Sequence, residues 1–324
     1  MRADVDLLTL GESMVSLRSG GPLSAGGSLS MHVAGAESNV AVGVARLGHR
    51  VRWAGVVGAD PHGQFVQRQL RSEGIELHHR EDSVRSTGVM FLEQRTADVS
   101  RAFYYRAGSA GSTLCREDVD AALQGGARIL HMTGITAALS AEARDAVEYA
   151  ARRATGAGVL VSLDVNYRSK LWSRDEARAV LSPLVRHASI VIASDDELDL
   201  VAADSGVPSD SAEAEALMAK HLLGLGVQDV VVKRGAAGAG AHTRAGHWEV
   251  PAVPVTSIDT VGAGDAFTAG YLSALLDGED VPGRLRRGAL AGAFAVSTAG
   301  DWEGLPRTGE LALLGGHVAG TTQR

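Results

Sequence analysis

The chain has 324 residues, enough for one large α/β domain or two ordinary ones. Hydrophobic residues make up 45% of it, which suffices for a buried core, and the net charge of -7 argues against nucleic acid or an anionic membrane as the main partner. The single cysteine, Cys115, excludes an internal disulfide and a cysteine metal cluster. Because the sequence shows no signal peptide and no apolar run near the ~20 residues of a membrane span, a cytoplasmic protein is expected.

Apolar strand-like runs alternate with amphipathic helical patterns along the chain. The predicted strands are 5–10, 51–57, 128–132, 159–165, 190–193 and 229–233. The predicted helices are 38–47, 63–73, 141–155, 174–186, 213–223 and 266–276. Continuous apolar strands joined through helices form parallel sheets with right-handed crossovers. The pattern therefore predicts a layered α/β domain over residues 1–314, followed by a frayed Gly/Thr-rich tail over 315–324.

Two segments, 16–33 and 87–106, interrupt this alternation. They lack helical periodicity and carry strand-forming residues, among them Phe91, Phe103 and Tyr104. Ligands of open α/β sheets bind beyond the carboxyl ends of the strands, so we expect these segments to form a small β-lid over the active-site mouth. An ordinary pair of extra edge strands is the alternative.

The most informative stretch reads Asp-Thr-Val-Gly-Ala-Gly-Asp-Ala-Phe, from Asp259 to Phe267. A glycine turn at the start of a helix presents free N–H groups and the positive end of the helix dipole to an anion such as phosphate. Gly262, Ala263 and Gly264 are therefore predicted to form an anion hole. Asp265, a carboxylate in that turn, is predicted to accept a proton from a hydroxyl that attacks a phosphoryl group. The alternative is a glycine-rich turn in which Asp265 only favours the helix dipole.

Two other nucleotide-binding classes do not fit. A nicotinamide dehydrogenase requires a third glycine, which the turn from Gly262 to Gly264 lacks. A P-loop requires a lysine after glycine, and none of the three lysines, Lys170, Lys220 and Lys233, follows one.

The stretch from Asp259 to Asp265 resembles the C-terminal signature of the ribokinase-like (PfkB) carbohydrate kinases. Further segments agree in order and spacing: Gly35-Ala-Glu-Ser-Asn39, Arg46-Leu-Gly48 and Gly58-Ala-Asp60-Pro-His-Gly63. The resemblance implies a three-layer α/β/α fold with a mainly parallel central sheet and a small β-lid. It also implies a kinase that uses ATP and Mg²⁺, and a homo-oligomer formed through the lid strands.

Three segments resemble one branch of that family, the 2-keto-3-deoxygluconate kinases. They are Tyr104-Tyr-Arg106, the run from Asp164 to Trp172, and Gly300-Asp-Trp-Glu303. A guanidinium binds a carboxylate in a bidentate way, so Arg106 and Arg168 are expected to clamp the acid group of the sugar; surface arginines are the alternative. A fructokinase or another neutral-sugar kinase, and a non-catalytic sugar sensor, remain alternative functions.

The resemblance also implies roles for individual residues. The residues expected at the sugar are Gly35, Asn39, Tyr104, Arg106, Arg168, Asp265 and Asp301. The residues expected at the nucleotide are Asn166, Ser194, Lys233, Gly235 and Gly238, together with Gly262 and Gly264. Glu197 and Asp259 are expected at the metal. The chain departs from the family pattern at Ser194, where asparagine is usual, and at Met90, where related keto-acid kinases often have a tyrosine.

Overall fold

A computed structural model describes residues 3–96, 99–206 and 213–315. The strands of its larger sheet are β1 (Val5–Leu10), β4 (Val51–Gly58), β5 (Glu76–Asp82), β8 (Ala127–Thr133), β9 (Leu160–Asp164), β10 (Ile190–Ser194), β11 (Asp229–Lys233), β12 (Ala239–Thr243) and β13 (Gly246–Val250). The strands of a smaller sheet are β2 (Met14–Ser19), β3 (Leu29–Ala34), β6 (Val89–Thr96) and β7 (Val99–Tyr105).

The larger sheet has nine strands in the described part of the chain, in the order β13-β12-β11-β10-β9-β8-β1-β4-β5. The strands from β11 to β5 are parallel, whereas β12 and β13 are antiparallel to their neighbours. The carboxyl ends of the parallel strands therefore meet along one edge, which is where open α/β sheets bind ligands.

Helices cover both faces of this sheet. They are α1 (Ala36–Arg46), α2 (Pro61–Ser72), α3 (Arg116–Leu123), α4 (Gly134–Leu139), α5 (Ala141–Gly156), α6 (Arg174–Leu184), α7 (Ala214–Gly224), α8 (Ala263–Leu276), α9 (Val281–Val296) and α10 (Leu311–Gly315). Helices α3 to α7 pack into the core on one face, and α1, α2, α8 and α9 pack into the core on the other. No helix in the described ranges is both long and apolar enough to cross a membrane.

The smaller sheet, with strand order β3-β2-β6-β7, comes from the two segments that interrupt the sequence alternation. Alternate residues of each strand lie on opposite faces. One face carries Met14, Met90 and Tyr104, and it lines a cleft beside the larger sheet. The other face carries an apolar row across all four strands, formed by Met31, Leu17, Phe91 and Phe103.

The predicted fold class is confirmed: the chain is an α/β protein with a mostly parallel sheet between helices and a small additional sheet. Each predicted strand and helix is present, with ends that differ by up to three residues. The strands β5, β12 and β13 and the helices α3, α4, α9 and α10 were not predicted. Beyond Gly315, the predicted tail lies outside the described residues.

Candidate active site

A cleft of about 930 Å³ lies between the carboxyl edge of the larger sheet and the inner face of the smaller one. The segments that follow β8, β9 and β10 and the first turn of α8 supply one wall. The small sheet supplies the opposite wall through side chains such as Met90 and Tyr104. The predicted residues that line the cleft are Gly35, Asn39, Tyr104, Arg106, Arg168, Gly262, Asp265 and Asp301.

Asp265 lies at the start of α8, and only 8% of its surface is exposed. Asn39 Nδ2 donates to its Oδ2 at 2.8 Å, and Asn166 Nδ2 donates to its Oδ1 at 3.2 Å. The first contact follows from helix packing, because a Cβ added at Gly43 would lie 2.5 Å from Ala269 Cβ. Asn39 and Asp265 each stand four residues before this close contact, so they face each other one turn nearer the N-termini of α1 and α8.

Asn166 reaches Asp265 from an unusual backbone conformation. Its φ of 42° is the one positive value among the non-glycine residues that the structure describes. Asparagine tolerates this left-handed region better than most residues, and such conformations are concentrated at functional sites. The kink just after β9 turns the Asn166 amide toward Asp265.

The glycine turn lies at the N-terminus of α8. Gly262 caps the helix with a φ of 75°, and a Cβ there would lie 2.1 Å from the backbone oxygen of Asp301. The first turn of an α-helix has amide groups without intrahelical partners, which can bind an anion. Lys233 Nζ is close to this turn, since a Cβ added at Gly264 would lie 3.5 Å from it.

The pKa of Asp265 is raised, chiefly because burial removes its charged form from water. The hydrogen bond from Asn39 and the positive charges of Arg168 and Lys233 oppose this rise, and the charge of Asp164 adds to it. A raised pKa brings a carboxylate closer to working pH and so makes it a better proton acceptor.

Three ion-pair groups lie at or beside the cleft, and none of these pairings was predicted. Arg106 Nε donates to Glu12 Oε2 at 2.7 Å, and Ser109 also binds Glu12. Lys233 Nζ donates to Asp164 Oδ2 at 2.7 Å. Arg18 Nη1 and Nη2 donate to Asp259 Oδ2 and Asp301 Oδ2 at 2.7 and 2.8 Å. Glu12 and Arg18 gave no signal in the sequence, because their partners are 94 to 283 residues away. Asp164 begins one of the segments singled out in the sequence, but its pairing with Lys233, 69 residues away, was not predicted.

Two further cations line the cleft and have backbone partners instead of acids. Arg168 Nη1 donates to Tyr167 O at 3.1 Å, and Lys170 Nζ donates to Ala102 O at 2.7 Å. Lys170 also lies 5.5 Å from the centre of the Tyr104 ring. The positive charges of these two side chains are therefore available to an acidic ligand, whereas that of Arg106 is largely neutralised by Glu12.

Glu197, Ser194, Asp259, Gly235 and Gly238 are not among the residues that line this cleft. Glu197 accepts from the backbone N–H groups of Tyr167 and Ser194 at 2.7 and 3.0 Å, and the Ser194 hydroxyl donates to Asp196 at 2.7 Å. Asp259, which is expected at a metal, accepts hydrogen bonds from Arg18 and from the backbone amides of Val261 and Gly300. In the loop after β11, Gly235 has open space around its Cα, and a Cβ at Gly238 would lie 2.1 Å from Val250 O.

The fold, the cleft at the carboxyl edge and the helix start beside a buried carboxylate define an α/β protein suited to phosphoryl transfer. A family model described as pfkB family carbohydrate kinase matches residues 6–308. The chain belongs to this family and is an ATP-dependent sugar kinase.

Relatives cover nearly the whole chain. A 2-dehydro-3-deoxygluconokinase of Bacillus subtilis is 34% identical over 95% of this chain and 94% of its own length. A 2-dehydro-3-deoxygalactonokinase of Haloferax volcanii is 33% identical over 91% and 92%. A 5-dehydro-2-deoxygluconokinase of Listeria monocytogenes is 29% identical over 95% and 95%.

Solved structures of similar fold also cover nearly the whole chain. A PfkB protein from Polaromonas superposes with a TM-score of 0.84 at 36% identity, covering 95% of this chain and 99% of that one. A candidate ribokinase II from Escherichia coli, solved with ATP and Mg²⁺, has a TM-score of 0.85 at 25% identity and covers 95% and 98%. ATP and Mg²⁺ are the cofactors of the family.

The residues at the carboxyl end of β9 fit a hard cation or its water ligands. Among the described residues, Asp164 Oδ1 and Asn166 Oδ1 are buried oxygen atoms without a hydrogen-bond partner. Magnesium prefers oxygen ligands and keeps several of its waters. The amides of the first turn of α8 and the nearby Lys233 ammonium fit the phosphates of ATP.

Proposed function

We propose that the chain phosphorylates the primary hydroxyl of 2-keto-3-deoxygluconate, with Asp265 as the general base. The observation that carries this proposal is the environment of Asp265. The residue borders both the glycine turn and the sugar-facing wall of the cleft, and it is held by two neutral amides instead of a cation. Burial raises the pKa of this carboxylate, and no directly bonded cation in the described part of the chain reverses the rise, so Asp265 is a stronger base than an exposed aspartate.

Each residue then has a step to perform. Asn39 and Asn166 orient the Asp265 carboxylate toward the hydroxyl of the sugar, and Asp265 accepts the proton as that oxygen attacks the γ-phosphorus of ATP. The amides of Gly262, Ala263 and Gly264 stabilise the charge on the transferring group. Asp164, Asn166 and Glu197 would hold Mg²⁺ directly or through water, and the ion would neutralise charge on the phosphates.

The cations of the cleft support an acidic substrate. Within the described ranges, Arg168 and Lys170 have no acid among their hydrogen-bond partners, and both face the space that the sugar would fill. The charge of Arg168 already lowers the pKa of Asp265, so Arg168 acts close to the reacting centre. Lys170 lies beside Tyr104 of the small sheet and is the better placed of the two to meet the distant carboxylate. The names of the relatives from Bacillus and Haloferax agree with a dehydro-deoxy sugar acid.

One observation favours a neutral-sugar kinase as the second candidate. Arg106, the first member of the predicted clamp, is paired with the nearly fully buried Glu12. Met90 in addition offers no hydroxyl to the substrate. If Lys170 serves only to fix the loop after β9, Arg168 is the cation without an acid partner that remains among the described residues of the cleft, and it would serve the phosphates and not a sugar carboxylate.

The small sheet also supports a homo-oligomer. Its outer row of Met31, Leu17, Phe91 and Phe103 is apolar, and Met31 is 44% exposed. Tyr105, which stacks edge-on against Phe91 at 5.5 Å, is 69% exposed. An exposed apolar sheet face of this kind is typical of a protein interface, and a second copy of the chain would cover it. The cytoplasmic location expected from the sequence stays a prediction.

The experiment is a comparison of ADP release with Mg-ATP and 2-keto-3-deoxygluconate, its galactonate epimer, fructose, ribose or gluconate. Turnover of the keto-acids alone is expected, and Asp265→Asn should lower kcat by ~10²–10⁴-fold. Preferential turnover of fructose or ribose would establish the neutral-sugar alternative. Near-normal kcat in Asp265→Asn would refute the role of the base, whatever the substrate.

A further inference from the structure

Arg18 joins two acids that are far apart in sequence. It stands on β2 of the small sheet with 13% of its side chain exposed. Its two terminal nitrogens donate separately, Nη1 to Asp259 at 2.7 Å and Nη2 to Asp301 at 2.8 Å. The planar fork of a guanidinium can hold two carboxylates at fixed positions, which a lysine ammonium at one point does not reproduce.

Both acids are built into the backbone that supports the glycine turn. Asp259 accepts hydrogen bonds from Val261 N at 3.0 Å and from Gly300 N at 3.3 Å. Its carboxylate therefore connects the segment just before the glycine turn to the loop that contains Asp301. The backbone oxygen of Asp301 lies against Gly262, where no Cβ would fit. A displacement of either carboxylate would therefore be transmitted directly to the amides that open α8.

Arg18 also places a positive charge beside the acids at the glycine turn. The cleft already holds Asp265, and Asp301 lines the same space. Burial raises the pKa of Asp301 to about 6, the charges of Glu303 and Asp265 add to the rise, and Arg18 opposes it. Without Arg18, two further carboxylates beside the turn would repel the phosphates that the turn is expected to bind.

The position of Arg18 connects this turn to the wall that covers the sugar. Strand β2 also carries Met14, which lines the cleft, and it pairs with β6 next to Met90. A second contact runs in parallel, from His32 of β3 to Glu303 at 2.6 Å. The small sheet is thus fixed to the loop 300–303, and Arg18 is the contact that reaches the acids on both sides of the turn.

We propose that Arg18 is a positioning residue for phosphoryl transfer. It partly neutralises Asp259 and Asp301, holds them in place, and thereby couples the small sheet to the anion-binding turn. The proposal rests on the proposed function of that turn. It assigns Asp259 to the support of the turn instead of to a metal.

The test separates charge from geometry with three variants of the full-length enzyme. Arg18→Met keeps the volume of the side chain and removes its charge, and we expect KM for ATP to rise and kcat to fall, each ~10-fold or more. Arg18→Lys should restore KM for ATP and leave kcat low, because one ammonium cannot fix two carboxylates. Adding Asp259→Asn and Asp301→Asn to Arg18→Met should also restore KM for ATP, because the repulsion is removed.

Arg101→Ala is the matched control. Arg101 belongs to β7 of the same sheet and pairs with Glu93 at 3.8 Å. Its removal should leave kcat and KM for ATP at their wild-type values.

Wild-type KM for ATP and kcat in Arg18→Met would overturn the proposal, as would a loss that neither Arg18→Lys nor the two asparagines reverse. Asp265→Asn, measured in the same assay, distinguishes failure of the proposed function from failure of the proposal for Arg18. A fully active Asp265→Asn contradicts the proposed function and leaves the role of Arg18 open to its own test. If Arg18→Met does not fold, Arg18→Lys and the triple variant still decide the question.

Discussion

Gly262 is the position where the structure makes the sharpest prediction. Its backbone is left-handed, with φ at 75°, and a Cβ would lie 2.1 Å from the backbone oxygen of Asp301. Gly264, two residues further on, is already helical, and a Cβ there would meet Lys233 Nζ at an ordinary 3.5 Å. Gly262→Ala and Gly264→Ala thus add the same methyl group to the same turn, and neither removes a backbone N–H group.

The magnitude for Gly262→Ala has two parts. A non-glycine residue in the left-handed region costs roughly 1–2 kcal/mol. A backbone contact of 2.1 Å must also open to at least 3.0 Å, so the turn or the loop of Asp301 has to move by about 1 Å. Displacements of that size at catalytic groups can cost ~10²-fold in rate, and we expect a loss of this order in kcat. Gly264→Ala should lose less than ~10-fold, and the better helix propensity of alanine should raise Tm by about 1–2 °C.

The assay is steady-state ADP release with Mg-ATP and the preferred sugar, together with thermal unfolding of each variant. A folded Gly262→Ala with a large loss in kcat and a nearly active Gly264→Ala would support the anion-binding turn. Equal losses in the two variants would contradict the reasoning, because they would show that the methyl group itself, and not the displaced backbone, causes the defect.

Three other outcomes follow from the same contacts. Arg168→Lys should lower kcat/KM for an acidic sugar ~10-fold or more by removing the bidentate fork, and an equal loss on fructose would contradict a role in reading the carboxylate. Lys170→Ala should raise KM for the acidic sugar with a smaller change in KM for ATP; the opposite pattern in initial-rate measurements would place Lys170 at the nucleotide. Met31→Glu should convert the oligomer to monomers in sedimentation equilibrium, because it buries a charge in the outer row of the small sheet, and a wild-type monomer would refute that interface.

Much of the fold could be predicted because its central strands are apolar throughout. β1 and β11 were predicted with correct ends, since hydrophobic side chains fill both of their faces. The strand β5 was missed because Glu76–Asp82 is mostly polar and lies at the edge of the sheet. Helix α9 was missed because its buried positions are largely glycine and alanine, which pack closely on α8 but give a weak periodic signal.

The site was predictable only where its residues form local motifs. Gly262 and Asp265 are close in sequence, so the turn and the carboxylate could be read together. The contacts that set the charges of the cleft could not, because Arg18 and Glu12 find their partners 94 to 283 residues away through tertiary packing. The predicted clamp illustrates the consequence, since Arg106 was recognised as a cation of the cleft while its neutralisation by Glu12 was not.

Asp265 differs from the other buried acids of the cleft in one respect that can be tested. Glu12, Asp164 and Asp301 each bond an arginine or a lysine, whereas Asp265 bonds two amides. A cation within contact distance would lower the pKa of Asp265 and weaken it as a base, and a second acid would raise the pKa further. Asn39→Asp places such an acid 2.8 Å from Asp265 with almost no change in shape.

The raised pKa sets the sign of the expected result. The base is active only when ionised, so the acidic limb of the kcat profile should move to higher pH in Asn39→Asp. A general base contributes ~10²–10⁴-fold to kcat, and at pH 7 Asn39→Asp should lose a large part of that contribution. Its kcat should recover as the pH is raised toward about 9. Asn39→Ala, which removes the donor without adding a charge, should move the limb in the same direction by less. A loss of kcat that is independent of pH in both variants would show that Asn39 acts on the substrate and not on Asp265.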